Sequence, residues 1–476
     1  MIANLVGADW RRPENAESLP IFNPATGEEI ERVPLSGPAE VDAAVRAARA
    51  AFESWSRTPV MERVRLMFRF KAVLEEHFED LAAIVTRHHG KTLEEARGEV
   101  RRGIEVVDFA CGAPTLLQGR TLREVSGGVD QDLYRYPVGV CAGIPPFNFP
   151  VMIPLWMFPL AVVAGNTFVL KPSERTPLGG VRLAELFGEA GFPEGVLNLV
   201  HGAREAVDGL LTHPEVRAIS FVGSEPVARH VYETAAAHGK RVQALGGAKN
   251  HIVVMPDADL AQAVPAVLNS AFGNAGERCL AGSVAVAVGG ASDTLLGPLI
   301  EAAGKMVVGP GDQPGVQVGP LIRDDHRKKV AGYVERGVSE GARLLVDGRG
   351  EMERPGFFFG PTVLDGVSDR MAVGREEIFG PVLSVAHAAS LEEAIEQANR
   401  MALGNMAVIF TSSGRAAREF RERVEAGMVG VNVPIAQPFA FFPFSGWKGS
   451  FYGDLHVHGT DGMDFYTRKK VVVTRW

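Results

Sequence analysis

A chain of 476 residues exceeds what one ordinary hydrophobic core supports, so two or three domains are expected. Hydrophobic residues make up 46% and charged residues 22%, a composition that excludes a disordered or fibrous chain. The net charge is −8, with 49 basic side chains dispersed among 57 acidic ones and no long basic run, which argues against nucleic acid as a partner. Cys111, Cys141 and Cys279 are far apart, so neither a disulfide framework nor a cysteine metal site is expected, and a reducing, cytoplasmic compartment fits. Met1-Ile2-Ala3-Asn4 lacks the basic and then apolar run of a secretory signal.

In chain order, residues 21–34 carry an Asn-Pro-Ala-Thr-Gly turn between two extended runs and predict a hairpin. Helical spacing of apolar residues follows from Pro38 to Trp55 and again from Met61 to Gly90, where the glycine is a candidate C-cap. A further helical stretch, TLEEARGEVRRGIEVVDFACGAP, contains Arg101 and Arg102, two charges that in isolation read as a solvated face. The polar run LLQGRTLREVSGGVDQDLYRYP turns β-like. Pro137 to Leu170 then holds no charged residue and is long enough to cross a bilayer. Five prolines interrupt it, at 145, 146, 150, 154 and 159, and they rule out a membrane span because lipid cannot replace the lost backbone donors.

That passage opens a run of βα units. Val138–Ile144, Asn166–Leu170, Val196–Val200 and Ala218–Val222 predict buried strands, with helices at Met152–Val163 and from Thr176-Pro177 to Gly188, and the alternation implies a parallel sheet. The fourth strand runs into Phe221-Val222-Gly223-Ser224 at the start of the helix to His238, where free N–H groups would suit a phosphate. A second alternating run, with strands at 250–254, 283–288 and 407–411 and helices at 324–339 and 391–401, predicts a second α/β domain. The terminal FYTRKKVVVTRW predicts a strand whose exposed edge a second subunit would cover. His456 and His458 alternate on an expected strand, and without a third ligand they favour a structural role; no metal site is expected.

Cys279 stands directly after Arg278 among small residues, in Asn-Ala-Gly-Glu-Arg-Cys-Leu-Ala-Gly-Ser. A neighbouring positive charge would lower its thiol pKa and make it a candidate nucleophile. GERC occurs together with PPFNFP, VLKPSERTP, FVGSEP and EEIFGPV, in the order of one family. On these motifs the chain resembles the aldehyde dehydrogenase superfamily over nearly its whole length. RRGIEVVDFACGAP, RVQALGGAKNHIVVMPDA, VGVNVPIA and FPFSGWKGSFYGD make it most similar to the branch that oxidises methylmalonate semialdehyde and acylates coenzyme A.

The resemblance implies an α/β aldehyde dehydrogenase-like fold. Residues 1–117 and 137–248 would form a Rossmann-like NAD-binding domain, 249–440 an α/β catalytic domain, and 118–136 with 441–476 a small β segment for oligomerisation. It also implies Cys279 as the nucleophile, with the tetrahedral oxyanion held by the Asn148 amide and the Cys279 N–H. NAD would lie against Phe147, Lys171, Glu174, Gly223, Ser224, Glu377 and Phe379, and Arg102 and Arg278 would hold a substrate carboxylate. Two departures stand out. Ala228 replaces a usual glycine, and Ala244 or Leu245 occupies the place where hydrolytic members keep a glutamate that activates water. Release of the acyl group to coenzyme A is therefore implied, as propionyl-CoA or acetyl-CoA with loss of carbon dioxide. A hydrolytic dehydrogenase for another small aldehyde is the first rival, and a non-catalytic protein that has kept the fold the second. The substrate would be methylmalonate or malonate semialdehyde, the pathway valine or inositol breakdown, and the assembly a homodimer or homotetramer.

Overall fold

The strands Leu197–Leu199, Thr167–Leu170, Val140–Ile144, Val216–Val222 and Arg241–Leu245 lie side by side and parallel in the computed structural model, which describes residues 1–13 and 16–476. Apart from the exposed Arg217 and the half-buried Arg241 their side chains are buried on both faces, which is why Val140–Ile144 and Thr167–Leu170 read as continuous apolar stretches and not as alternating ones. Asn4–Val6 and Asp9–Arg11 extend one edge antiparallel, and Phe451–Tyr452 pairs antiparallel with Ala244 and Leu245 at the other. Strand order reverses between Val140–Ile144 and Val216–Val222. The crevice outside the carboxyl ends of these two strands is where open α/β sheets bind ligands.

A second sheet of seven strands runs in the order Arg343–Val346, Thr362–Asp365, Val382–Ala388, Val284–Val288, His251–Val254, Met406–Phe410 and Met428–Val431. All its pairs are parallel except the first. Arg120–Ser126, Val129–Pro137 and Thr467–Arg475 form a separate antiparallel sheet with Leu122, Tyr134, Val471 and Val473 exposed. Residues 441–476 reach all three regions. Besides the last strand they supply Phe451–Tyr452 to the first sheet and Trp447–Lys448, which pairs with Leu403–Gly404 beside the second.

The uncharged passage is a strand, a turn and the helix Met152–Val163, whose every residue is buried. A helix apolar all round has no solvent face and belongs inside a protein. Glu99 supplies what its N-terminus lacks, since Oε1 accepts the Val151 and Met152 N–H groups at 2.9 and 3.2 Å. No helix among the described residues is long and apolar enough to cross a membrane. Gly90 ends its helix at φ +97°, a left-handed cap, as its position predicts. The strand expected to carry His456 and His458 is absent. Val457 makes one isolated bridge to Phe444, His456 turns to Asp461 at 3.2 Å, and His458 has φ +46° ahead of a short helix. The alternating pattern reflected local turn contacts, not a ladder.

Candidate active site

The helix Leu93–Cys111 starts with a capping box, Thr92 accepting the Glu95 N–H at 3.2 Å and Glu95 Oε2 the Thr92 N–H at 3.0 Å. The other Glu95 oxygen accepts the Asn274 N–H at 2.6 Å and so ties this helix to the turn before Cys279. Glu95, Gly98, Glu99 and Arg102 follow at three- and four-residue spacing on one helix face. They form a wall of a cavity of about 240 Å³ that Arg278 and Cys279 close from the other side. Phe149, Met152, Trp156 and Phe444 give the cavity its apolar surface.

Asn274, Ala275 and Gly276 all have positive φ, at 55°, 51° and 72°. Asparagine and glycine tolerate this region, but Ala275 does not favour it and the surroundings must hold it there. Asn274 Nδ2 donates to the Glu277 carbonyl at 2.8 Å, and a methyl on Gly276 would lie 2.8 Å from the Pro381 nitrogen, so GERC packs directly on the Gly380-Pro381 motif. Asn250 and Asn405 donate to the Cys279 carbonyl at 2.9 and 2.8 Å. Asn148 Nδ2 donates to the Glu277 carbonyl at 2.8 Å. The carbonyl of Asn148 itself accepts from Lys91 Nζ at 2.7 Å, and the same ammonium pairs with Glu99 at 2.6 Å, with both side chains fully buried.

On its other side Cys279 opens into a groove of about 820 Å³ at the strand-order reversal. Phe147, Asn148, Lys171, Glu174, Gly223, Ser224, Glu377 and Phe379 all line it. The cavity and the groove share only Cys279 and Phe149. The sequence-predicted residues thus fall into two groups that meet at the thiol. Ser224 occupies the N-cap of the helix Glu225–Ala237 but its hydroxyl caps nothing, which leaves it free for a ligand. Ala228 is fully buried beneath the groove and does not line it, so the replaced glycine leaves the groove open.

Burial would raise the Glu174 carboxyl, but the Lys171 ammonium 3.3 Å away leaves it below its ordinary value. Glu377 is different. Burial pushes it up to about 7, opposed by the Ala248 N–H that it accepts at 2.9 Å. Phe379 stands at φ +58°, with its carbonyl accepting from His326 Nε2 at 2.6 Å.

The Arg278 charge does favour the thiolate, as its place in the sequence implies, but the net shift of the thiol is upward. Burial, reinforced by the nearby Glu377, pushes Cys279 up to about 12, and the backbone N–H groups of Cys279 and Leu280 and the Arg278 charge offset only part of this. Arg278 does not turn to the thiol. Its Nη2 donates to the carbonyls of Asn269 and Ser270, while Nε is buried without a partner.

The profile of the aldehyde dehydrogenase family matches residues 10–472. A malonate-semialdehyde dehydrogenase of Geobacillus kaustophilus is 54% identical over 477 residues, with 100% of this chain and 99% of the relative covered. The chain belongs to the aldehyde dehydrogenase family. A malonate-semialdehyde dehydrogenase of Halalkalibacterium halodurans is 52% identical, with 100% of this chain and 98% of the relative covered. Among solved structures, a methylmalonate-semialdehyde dehydrogenase of Oceanimonas doudoroffii superposes with a TM-score of 0.98 at 48% identity over 100% of this chain and 98% of its own. A Sinorhizobium meliloti chain assigned that same name and complexed with NAD gives 0.98 at 44% identity, with coverage of 100% and 98%. The α/β aldehyde dehydrogenase fold expected from the motifs is therefore the fold of this chain.

Sequence reasoning passed over Lys91, Glu99 and Phe149. Glu95, Gly98, Glu99 and Arg102 did leave a signal, a charged stripe containing a glycine at helical spacing. Lys91 left none, because its two partners are 8 and 57 residues away.

Proposed function

We propose that this aldehyde dehydrogenase uses NAD to oxidise malonate semialdehyde and methylmalonate semialdehyde through a thioester on Cys279, which coenzyme A releases as acetyl-CoA or propionyl-CoA with loss of carbon dioxide. The observation that carries this reading is the pair of guanidinium groups, Arg102 and Arg278, lining the small cavity that ends at the thiol. The buried Arg278 Nε has no partner in the protein, and a substrate carboxylate would supply one. The apolar cavity walls suit the short carbon chain and a methyl branch.

The Asn148 amide, held through its own backbone carbonyl by Lys91, would donate with the Cys279 N–H to the oxyanion. Bound NAD would supply the hydride acceptor and a positive ring charge beside the thiol. Gly223, Ser224 and the helix start behind them suit its pyrophosphate, and Phe147, Lys171, Phe379 and Glu377 its remaining parts. An ionised Glu174 in the groove would repel a 2′-phosphate, which favours NAD over NADP.

Release to coenzyme A is favoured by what the strand Arg241–Leu245 offers. Ala244 and Leu245 are buried in the core on opposite faces and line neither the cavity nor the groove. The carboxylate that faces the groove beside the thiol, Glu377, is bound to the Ala248 N–H. Exposed Leu122, Tyr134, Val471 and Val473 on the small sheet would be covered by further copies in a homodimer or homotetramer. Three free cysteines fit a reducing cytoplasm.

Steady-state kinetics with coenzyme A present test the substrate class. Both semialdehydes should exceed propanal in kcat/KM by about 10- to 150-fold, the usual worth of a charge-assisted contact. Propanal turning over as well as either semialdehyde would contradict the reading.

A further inference from the structure

Arg278 lies where it does because position 273 has no side chain. The helix Leu260–Phe272 ends at Gly273, and the guanidinium lies back across that end to reach the Asn269 and Ser270 carbonyls. A methyl group on Gly273 would come 2.8 Å from Arg278 Cζ and 3.1 Å from Nη1, and nearer still to Nη2. Gly273 has φ −57° and ψ 144°, which any residue adopts, so the backbone does not call for glycine there. The guanidinium does. It is the far end of a flexible side chain, so a methyl at 273 would displace Arg278 and leave the turn in place.

Arg102 has its own seat on the facing wall. Its Cζ stands 4.6 Å from the centroid of the Phe439 ring, and Phe439 stacks on Phe441 at 6.0 Å and 7°. Nη1 is drawn the other way, to Glu105 at 2.8 Å. Phe439 is exposed and lies outside the cavity lining, so its ring contributes a flat face to a cation and little to the core.

We infer that Gly273 and Phe439 determine the preference for acidic aldehydes without touching the substrate, Gly273 by leaving room for the Arg278 guanidinium and Phe439 by holding the Arg102 guanidinium against its ring. The inference rests on the reading that the two arginines bind a substrate carboxylate. Both positions are positioning residues, so the readout is a ratio: kcat/KM for methylmalonate semialdehyde over kcat/KM for propanal. Gly273→Ala should lower that ratio about tenfold or more, the scale of a lost charge-assisted contact. Phe439→Leu should lower it about two- to fivefold, and Phe439→Trp, which keeps a ring under the cation, should hold it at the wild-type value. The loss should sit in KM for the semialdehyde, with kcat little changed.

Arg278→Leu and Arg102→Leu are measured alongside. If they lower the ratio while Gly273→Ala and Phe439→Leu leave it unchanged, the seats are refuted and the carboxylate reading stands. Arginine variants that slow both aldehydes equally would refute the carboxylate reading and the seats with it. Equal slowing of both aldehydes by Gly273→Ala alone would also overturn the inference, because it would mark a disturbed turn and not a displaced guanidinium.

Discussion

With no cofactor bound, Cys279 should be a slow nucleophile, and the structure gives the size of the effect. A thiol held at about 12 in place of its ordinary 9.0 is ionised roughly a thousandfold less at pH 8. The thiolate of a weaker acid is intrinsically more reactive, by about 15- to 30-fold over that span. Alkylation of Cys279 by iodoacetamide should therefore run on the order of 10- to 250-fold slower than that of an exposed thiol. Because burial disfavours the charged form, reactivity is gained as pH rises, about tenfold per pH unit between 6.5 and 9.5, with no plateau. Following the peptide that contains Cys279 by mass spectrometry separates it from Cys111 and Cys141, which are buried with raised pKa values and should stay unlabelled in the native protein. Glu377→Gln removes a negative charge that disfavours the thiolate and should speed the reaction, and so should saturating NAD through its ring charge. A plateau below pH 8 in the cofactor-free protein would show a thiolate already formed and would refute this account of the site.

Two further outcomes follow from how Asn148 is held. Asn148→Ala should lower kcat about 10²- to 10³-fold with KM little changed, the scale for losing one oxyanion donor; a change confined to KM would assign Asn148 to binding instead. Glu99→Ala strands the buried Lys91 charge, a loss of about 3 to 5 kcal/mol, so Tm by calorimetry should fall and be partly restored in a Lys91→Met/Glu99→Leu double variant. An unchanged Tm in Glu99→Ala would show that the pair is dispensable.

Where local chemistry decided the structure, the sequence was a good guide. Val140–Ile144 is a continuous apolar run buried on both faces, and the helix Asp324–Ser339 has the predicted bounds. Gly90 and Ser224 sit at the helix end and start that their residue types indicate. The site was legible as a set of motifs, but its geometry depends on contacts far apart in the chain. Ala275 holds a left-handed conformation that alanine does not favour, next to Asn274, whose N–H is accepted by Glu95 some 179 residues away. The sign of the thiol shift was misjudged because a neighbouring arginine is visible in a sequence, whereas its turn toward the Asn269 and Ser270 carbonyls and the burial of the sulfur are not. His456 and His458 imitate a strand by alternation, yet His456 turns to Asp461 and His458 leads at positive φ into a short helix.

The central claim is that the thioester on Cys279 waits for coenzyme A, and rapid mixing of enzyme, NAD and methylmalonate semialdehyde without coenzyme A tests it most directly. Unassisted water attacks a thioester slowly, since general-base help is commonly worth about 10²- to 10⁴-fold and neither Ala244 nor Leu245 can give it. The account predicts a burst of about one NADH per active site that then nearly stops, with steady turnover and propionyl-CoA appearing once coenzyme A is added. Sustained NADH production at the full rate without coenzyme A, with a free acid as product, would contradict it.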